Sequence, residues 1–299
     1  MARPRVHVTS TVLDEVTTAL AESFELIDVP EGADGVLSLL TTRVDAAFLD
    51  RAGPQLQVVA NYAVGVNNID LAAAAERGVV VANTPDVLTR TTAELAVGLM
   101  LALLRRIAEG DRFVRRGDEW EFSIEFMLGA SLDGKQVLIV GPGRIGRETA
   151  RLAEAFGATA SFASRVDDLR ALLEEADVVS LHVPLTDGTR HLIGAGELEA
   201  MRPTAVLVNT ARGPIVDESA LVTALRDGVV AGAALDVFER EPEVEEGLLG
   251  LETVVLTPHL GSATRDTRVA MGMLCVEALR AVLLDGRRPA NAVGERPVP

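Results

Sequence analysis

One cysteine, Cys275, stands in 299 residues. No disulfide can form within the chain and no zinc cluster can be built from thiolates, so a reducing, cytoplasmic setting is expected and no metal site. Positive charge is scarce too: 28 Lys and Arg face 44 Asp and Glu, for a formal net charge of −16. Nucleic acids and anionic membranes both need a basic footprint, so this balance disfavours both as partners. A long hydrophobic run is missing. The longest, residues 93–104, holds 12 residues including Glu94 and ends at Arg105-Arg106. That is too short to cross a bilayer and reads as a buried or interface helix. The opening MARPRVHVTS has basic residues but no apolar core, so no signal peptide is expected. No short-period repeat or low-complexity segment interrupts the chain.

What remains is an ordinary globular composition, 48% hydrophobic and 24% charged. At this length two cores are expected rather than one. Short β-rich runs alternate with helical patterns, which argues a parallel-sheet α/β protein. RVHVTS (5–10), GVLSLL (35–40), LQVVAN (56–61) and GVVVAN (78–83) form a first series. Residues 91–120 then read as one or two long helices without a strand. The second series is QVLIVG (136–141), TASFAS (159–164), DVVSLHV (177–183), AVLVNT (205–210), AGAALDV (231–237) and TVVLTPH (253–259), and a last helix covers about 265–285.

Two features carry chemistry. In VLIVGPGRIG, Gly141, Gly143 and Gly146 form G-x-G-x-x-G between a strand and a helix. The first glycine permits the turn and the second lets backbone approach a pyrophosphate. The third lets helix and strand pack, with the helix N-terminus facing the phosphates. Pro142 has no N–H to donate there. The other feature is AVLVNTARG, where Arg212 follows a buried strand. A guanidinium in that position is costly unless an anion meets it.

TPDVLTRTTAELAV (84–97), GPGRIG (141–146), DVVSLHVPLT (177–186), VNTARG (208–213), LDVFEREP (235–242) and TPHLGSAT (257–264) occur in this order. Together they resemble the NAD(P)-dependent D-2-hydroxyacid dehydrogenase family along nearly the whole chain. TPDVLTRTTAELAV and PHLGSATRDTR look closest to its glyoxylate/hydroxypyruvate reductase branch. The resemblance implies two doubly wound, Rossmann-like parallel-sheet domains with the active site in a cleft between them. Residues 1–93 and 268–299 would bind substrate, and 94–267 the dinucleotide. It also answers the question of the anion: Arg212 would hold the carboxylate and carbonyl of a 2-oxo acid, a task that suits its planar fork. His259 would be the general acid–base, an imidazole that titrates near neutrality serving both directions. Glu241 would pair with it, favouring imidazolium and holding the ring.

The cofactor set implied is Gly141, Gly143, Arg144, Ile145 and Gly146, with Thr92 near the nicotinamide-side phosphate, Pro184, and Thr210 and Asp236 near the nicotinamide. Backbone N–H groups at Val64 and Gly65, in YAVGVNN (62–68), would hold the substrate carboxylate, with Leu40 and Thr41 on the other wall. Ser164-Arg165 at the end of the second nucleotide-domain strand resembles the NADP-using reductases, so NADPH is expected over NADH. Asp167 and Asp168 follow closely and are read as first-turn helix acids pointing away from the ribose. Glu239, Glu243, Glu245 and Glu246 are read as solvated, and His7, His182 and His191 have no assigned role. A homodimer is expected through the 91–120 region.

Two departures from the family stand out. SRVDDLRALLEEAD runs almost directly from the second strand to the next, so the sheet should lack one edge strand. EFSIEFMLG, after Trp120, lacks the second tryptophan common in the reductase branch, and Phe122 stands nearest to it. A formate dehydrogenase on this scaffold would carry glutamine where Glu241 stands. A phosphite dehydrogenase and a non-enzymatic NAD-sensing corepressor remain the alternatives.

Overall fold

The structure is a computed structural model and describes residues 2–294. The chain divides into two units, Met1–Leu88 with Ser262–Pro299, and Thr89–Gly261. The divisions fall at 88/89 and 261/262, five and six residues before the positions expected from sequence. Thr89 opens a continuous helix that a boundary at 93 would cut, and the loop up to Gly261 is bonded to Asp236 of the second unit. Residues 295–299 of the expected substrate domain lie outside the described residues.

The first unit runs β1 (Arg5–Val8), α1 (Asp14–Ser23), β2 (Glu25–Ile27), β3 (Gly35–Ser38), α2 (Ala46–Ala52), β4 (Val58–Asn61), α3 (Leu71–Glu76) and β5 (Val80–Ala82). Its strands form one parallel sheet in the order β2-β1-β3-β4-β5. β2 was not expected: ELI is three residues long, with too little apolar character to register as a strand. Asp45 and Asp70 cap α2 and α3 by accepting from Phe48 N and Ala73 N, which is why each short helix starts where it does. Val36, Val59 and Val81 bury one face of the sheet against these helices.

The second unit opens with α4 (Thr89–Leu104) and α5 (Ile107–Arg116). Arg106, at φ 53°, takes the left-handed conformation between them, so the expected helical stretch is two helices. Then come β6 (Gln136–Val140), α6 (Arg144–Ala155), β7 (Thr159–Ala163), α7 (Leu169–Leu173), β8 (Val178–Leu181), α8 (Ala195–Ala200) and β9 (Val206–Asn209). The unit ends with α9 (Glu218–Arg226), β10 (Gly232–Leu235), α10 (Glu246–Leu249) and β11 (Val254–Leu256). Its parallel sheet has the order β11-β10-β9-β8-β6-β7. Both faces are covered: Leu138, Val140, Val179 and Leu181 join one core, while Val137, Ile139 and Val178 join the other. β7 is one edge of the sheet, and α7 follows at Leu169 with no strand between them. The return helix α11 (Arg265–Leu283) belongs to the first unit, where a Cβ on Gly35 of β3 would meet Leu279 and Leu283. No helix among the described residues is long and apolar enough to cross a membrane.

Candidate active site and cofactor cradle

The glycine motif behaves as its sequence implies. Gly141, at φ 102°, turns the chain so tightly that a Cβ would lie 2.8 Å from the His182 backbone. A Cβ on Gly146 would collide with the Gly141 carbonyl and lie 2.8 Å from Ile139 Cγ2, so only glycine lets α6 close onto β6. Gly143 is the N-cap of α6, and a Cβ there would have nothing within 4 Å. Open space before a helix N-terminus, bounded by glycine, is what a pyrophosphate requires. Arg144, exposed, and Ile145, half-buried, form the start of that helix.

A second observation fits a bound nicotinamide group. Thr210, just after β9, is buried, and its hydroxyl has no hydrogen-bond partner among the described residues. A buried orphan hydroxyl is costly unless something meets it. Thr92 is buried on α4, its Cγ2 3.4 Å from the Cβ position of Gly261. Pro184 is exposed in the loop after β8, its carbonyl accepting from Thr189 Oγ1 at 2.7 Å. Asp236 is fully buried and holds the loop after β11. It accepts from Thr257 Oγ1 at 2.6 Å, Leu260 N at 2.7 Å and Gly261 N at 2.8 Å. Its carboxylate is thus a fixing point for the segment that carries His259.

The three expected catalytic residues all lie in the second unit, beyond the carboxyl ends of β9, β10 and β11. His259 Nδ1 and Glu241 Oε2 are 2.9 Å apart. Glu241 Oε1 accepts from Phe238 N at 3.0 Å, so one oxygen is fixed by backbone and the other faces the imidazole. Burial alone would push the Glu241 carboxyl up. The His259 hydrogen bond and charge, the Phe238 N–H and the Arg212 charge outweigh it and hold the group below the usual carboxylate value. With an ionised partner, Nδ1 is the donor, which leaves Nε2 of His259 as the nitrogen open to proton exchange. His259 itself sits at φ 55° and donates its own N–H to Asp236 O at 2.8 Å.

Arg212 is partly buried, and burial pushes its guanidinium below the usual value, opposed by Glu241. Its one side-chain hydrogen bond goes to Ala211 O at 2.6 Å, and no carboxylate lies within 4.0 Å among the described residues. Asn209 fixes the turn, donating to Arg212 O at 2.9 Å and accepting from Ala211 N at 3.0 Å. A desolvated fork with most of its N–H groups unclaimed is a receptor for a planar anion.

In the first unit, Leu40 and Thr41 follow β3 and Val64 and Gly65 follow β4. Asn83 Nδ2 donates to Val64 O at 2.8 Å and Asn61 Nδ2 to Gly65 O at 2.9 Å. The loop is held by its carbonyls, and neither Val64 N nor Gly65 N donates to a protein acceptor among the described residues.

Three readings of single residues change. Asp168 does cap α7, accepting from Ala171 N, but Asp167 does not point along the helix. Its Oδ2 accepts from both Ser164 N and Ser164 Oγ at 2.7 Å, because a tight turn at 164–167 brings that carboxylate back onto the strand end. Glu239 is not simply solvated, since it accepts from His191 Nε2 at 2.6 Å. Glu245 is drawn to Arg240, 3.1 Å away at the surface. Sequence reasoning also missed Glu218, a buried carboxyl that accepts from Glu239 N at 2.7 Å and that burial pushes upward. Its only signal was a place in the first turn of a helix, after the N-cap Asp217. Among the other histidines, His7 meets Ile27 O at 3.1 Å and His182 meets Ser180 Oγ at 2.9 Å. Burial pushes His182 down to about 4, so it is neutral at pH 7.

Residues 97–261 match the model of the D-isomer specific 2-hydroxyacid dehydrogenase NAD-binding domain. A glyoxylate reductase from Aeropyrum pernix is 43% identical, over 100% of this chain and 98% of its own. One from Thermococcus litoralis is 45% identical over 90% of this chain and 86% of its own. Among solved structures, an NADPH-dependent glyoxylate/hydroxypyruvate reductase from Sinorhizobium meliloti, crystallised with NADP and malonate, superposes with a TM-score of 0.88. It is 37% identical, covering 99% of this chain and 98% of that one. The chain belongs to the D-2-hydroxyacid dehydrogenase family, in its glyoxylate reductase branch. It is an NAD(P)-dependent oxidoreductase that reduces a small 2-oxo acid with a nicotinamide cofactor.

Proposed function

We propose that the physiological reaction is reduction of glyoxylate, hydroxypyruvate or a 2-oxo acid of similar size, the chiral products having the D configuration. The observation that supports it most is the partly buried, largely unclaimed Arg212 fork in the same unit as the Glu241–His259 pair. Arg212 binds the carboxylate and polarises the carbonyl, and His259 Nε2 delivers the proton to the carbonyl oxygen. Glu241 holds the ring and stabilises its charged form. Val64 and Gly65 offer backbone N–H groups to the carboxylate, with Leu40 and Thr41 beside it. When bound, the reduced nicotinamide supplies the hydride. Gly141, Gly143, Arg144, Ile145 and Gly146 would hold its pyrophosphate, and Thr92, Pro184, Thr210 and Asp236 its nicotinamide half. NAD(P)H oxidation measured with glyoxylate, hydroxypyruvate and pyruvate tests the substrate. Turnover of none of them, with phosphite oxidised instead, would overturn the reading.

The acid–base pair carries a pH signature. Reduction needs imidazolium and should be favoured on the acid side, whereas oxidation needs the free base. The Glu241 carboxyl is held below its usual value, so near neutral pH Glu241→Gln removes a full negative charge from beside the ring. The reductive limb should then move to lower pH. A kcat/KM profile for reduction that is identical in wild type and E241Q would show the two groups to be uncoupled.

We also infer a preference for NADPH. Ser164 and Arg165 are both exposed at the end of β7, where Arg165 can meet a 2′-phosphate. Asp167 opposes this, since its carboxylate already holds the Ser164 hydroxyl. Arg165→Ala should lower the NADPH/NADH ratio of kcat/KM. Asp167→Asn should raise it roughly fivefold, the worth of about 1 kcal/mol between close charges in water. A wild-type preference for NADH, or ratios unmoved by both changes, would refute it.

A cytoplasmic homodimer is the assembly we propose. α5 buries none of its residues, and Ile107, Val114, Trp120, Phe122, Ile124 and Leu128 are all exposed. That much apolar surface along one segment supports a partner. Light scattering at micromolar concentration should give twice the chain mass, and a monomer would refute it.

A further inference from the structure

We propose that His191 and Glu239 are positioning residues that set the placement of Glu241, and through it the readiness of His259 to carry a proton. The inference rests on the assignment of Glu241 and His259 as the acid–base pair.

The observations converge on one two-residue segment, Phe238 and Glu239. Phe238 N is the backbone donor to Glu241 Oε1, so wherever this segment goes the carboxylate follows. Three contacts hold it. Gly213, next to Arg212, lies so close that a Cβ there would collide with the Phe238 carbonyl group. Glu218 Oε1 accepts from Glu239 N at 2.7 Å. The Glu239 side chain reaches His191 Nε2 at 2.6 Å, across 48 residues of sequence.

His191 is itself tied to the arginine loop. Its N–H donates to Pro214 O at 2.8 Å, and Ile193 N to Ile215 O at 3.1 Å. Its backbone has φ 50°, a left-handed conformation that a non-glycine residue keeps only when its surroundings impose it. The imidazole therefore joins the Arg212 loop by its backbone and the Glu241 loop by its side chain. Asp217 Oδ2, 4.0 Å from Nδ1, is the other charged group facing the ring. A strut of this kind fixes the relative placement of the anion-binding and proton-transferring groups, and loops without such support place catalytic side chains loosely. Neither side chain needs to touch substrate or cofactor to do this.

The test uses full-length protein and two readouts. The first is the NMR pH titration of the histidine Cε1–H signals without substrate, four in wild type, Glu239→Ala and Glu239→Gln and three in His191→Phe. H191F keeps the bulk of the ring and loses both nitrogens, whereas E239Q keeps the acceptor oxygen and loses only the charge. The His259 signal should titrate at lower pH in H191F and E239A than in wild type, as Glu241 drifts from the ring, and return close to wild type in E239Q. The second readout is steady-state reduction: kcat should drop about tenfold in the first two variants, with KM for the 2-oxo acid changed less than about twofold. If one of the two does not fold, the other carries the test. A His259 midpoint unmoved in whichever of them folds would overturn the proposal. So would an E239Q titration matching that of E239A, since the pair would then act by charge and not by position. Because the titration needs no turnover, a wild-type protein inactive on every 2-oxo acid would defeat the functional assignment and leave this reading to its own result.

Discussion

Replacing His259 with glutamine should lower kcat for 2-oxo acid reduction by roughly 10²–10⁴, the scale on which general acid–base groups contribute. Glutamine keeps a donor able to reach Glu241 but cannot cycle a proton at neutral pH. The pairing at 2.9 Å can therefore survive in part while proton transfer is lost. KM should change little, since in the proposed reading Arg212 holds the carboxylate, and fluorescence titration with NADPH should give a wild-type Kd. This pattern of lost kcat with preserved binding marks a group acting mainly in the transition state. Near-wild-type turnover in H259Q would remove His259 from the mechanism, and an equal loss of cofactor affinity would point to a collapsed loop.

The second large effect concerns a glycine. Gly213→Ala should destabilise the protein by about 3 kcal/mol, because the new methyl group meets backbone that cannot swing aside as a flexible side chain would. For a unit the size of Thr89–Gly261 that corresponds to a melting point lowered by about 6–12 °C. The residual folded enzyme should be impaired in both substrate affinity and turnover, since the colliding peptide separates Arg212 from the turn that carries Glu241. Gly143→Ala is the contrasting control: open space surrounds its Cβ position, so stability should hold while NADPH binding weakens. Thermal denaturation followed by circular dichroism, with cofactor titration, checks both. A G213A protein as stable as wild type would mean that the two loops part freely.

The parts of this protein that were legible in the sequence are those whose cause is local. The three motif glycines are required by a turn, an open approach and a close packing within six residues of one another, so their spacing is enough to declare them. Strands came through because a parallel sheet covered on both faces needs continuous apolar runs, and β6, β8 and β9 supply them. β2 has no such run and is a strand only because β1 lies beside it. Arg212, Glu241 and His259 were visible as residue types because each stands a few residues past a strand end.

What the sequence could not decide is which side chains meet. Glu239 and Glu241 stand two apart in FEREP, yet one accepts from His191 and the other from His259. Asp167 and Asp168 are adjacent, and one folds back onto Ser164 while the other caps α7. His182 and His191 are the same residue type, one buried and neutral against Ser180, the other bridging two loops. These outcomes depend on which group packing places within about 3 Å of which, and on how far burial strips each of water. Both are set by segments tens of residues apart, and a charge or hydrogen bond is decided only once the fold has brought those segments together.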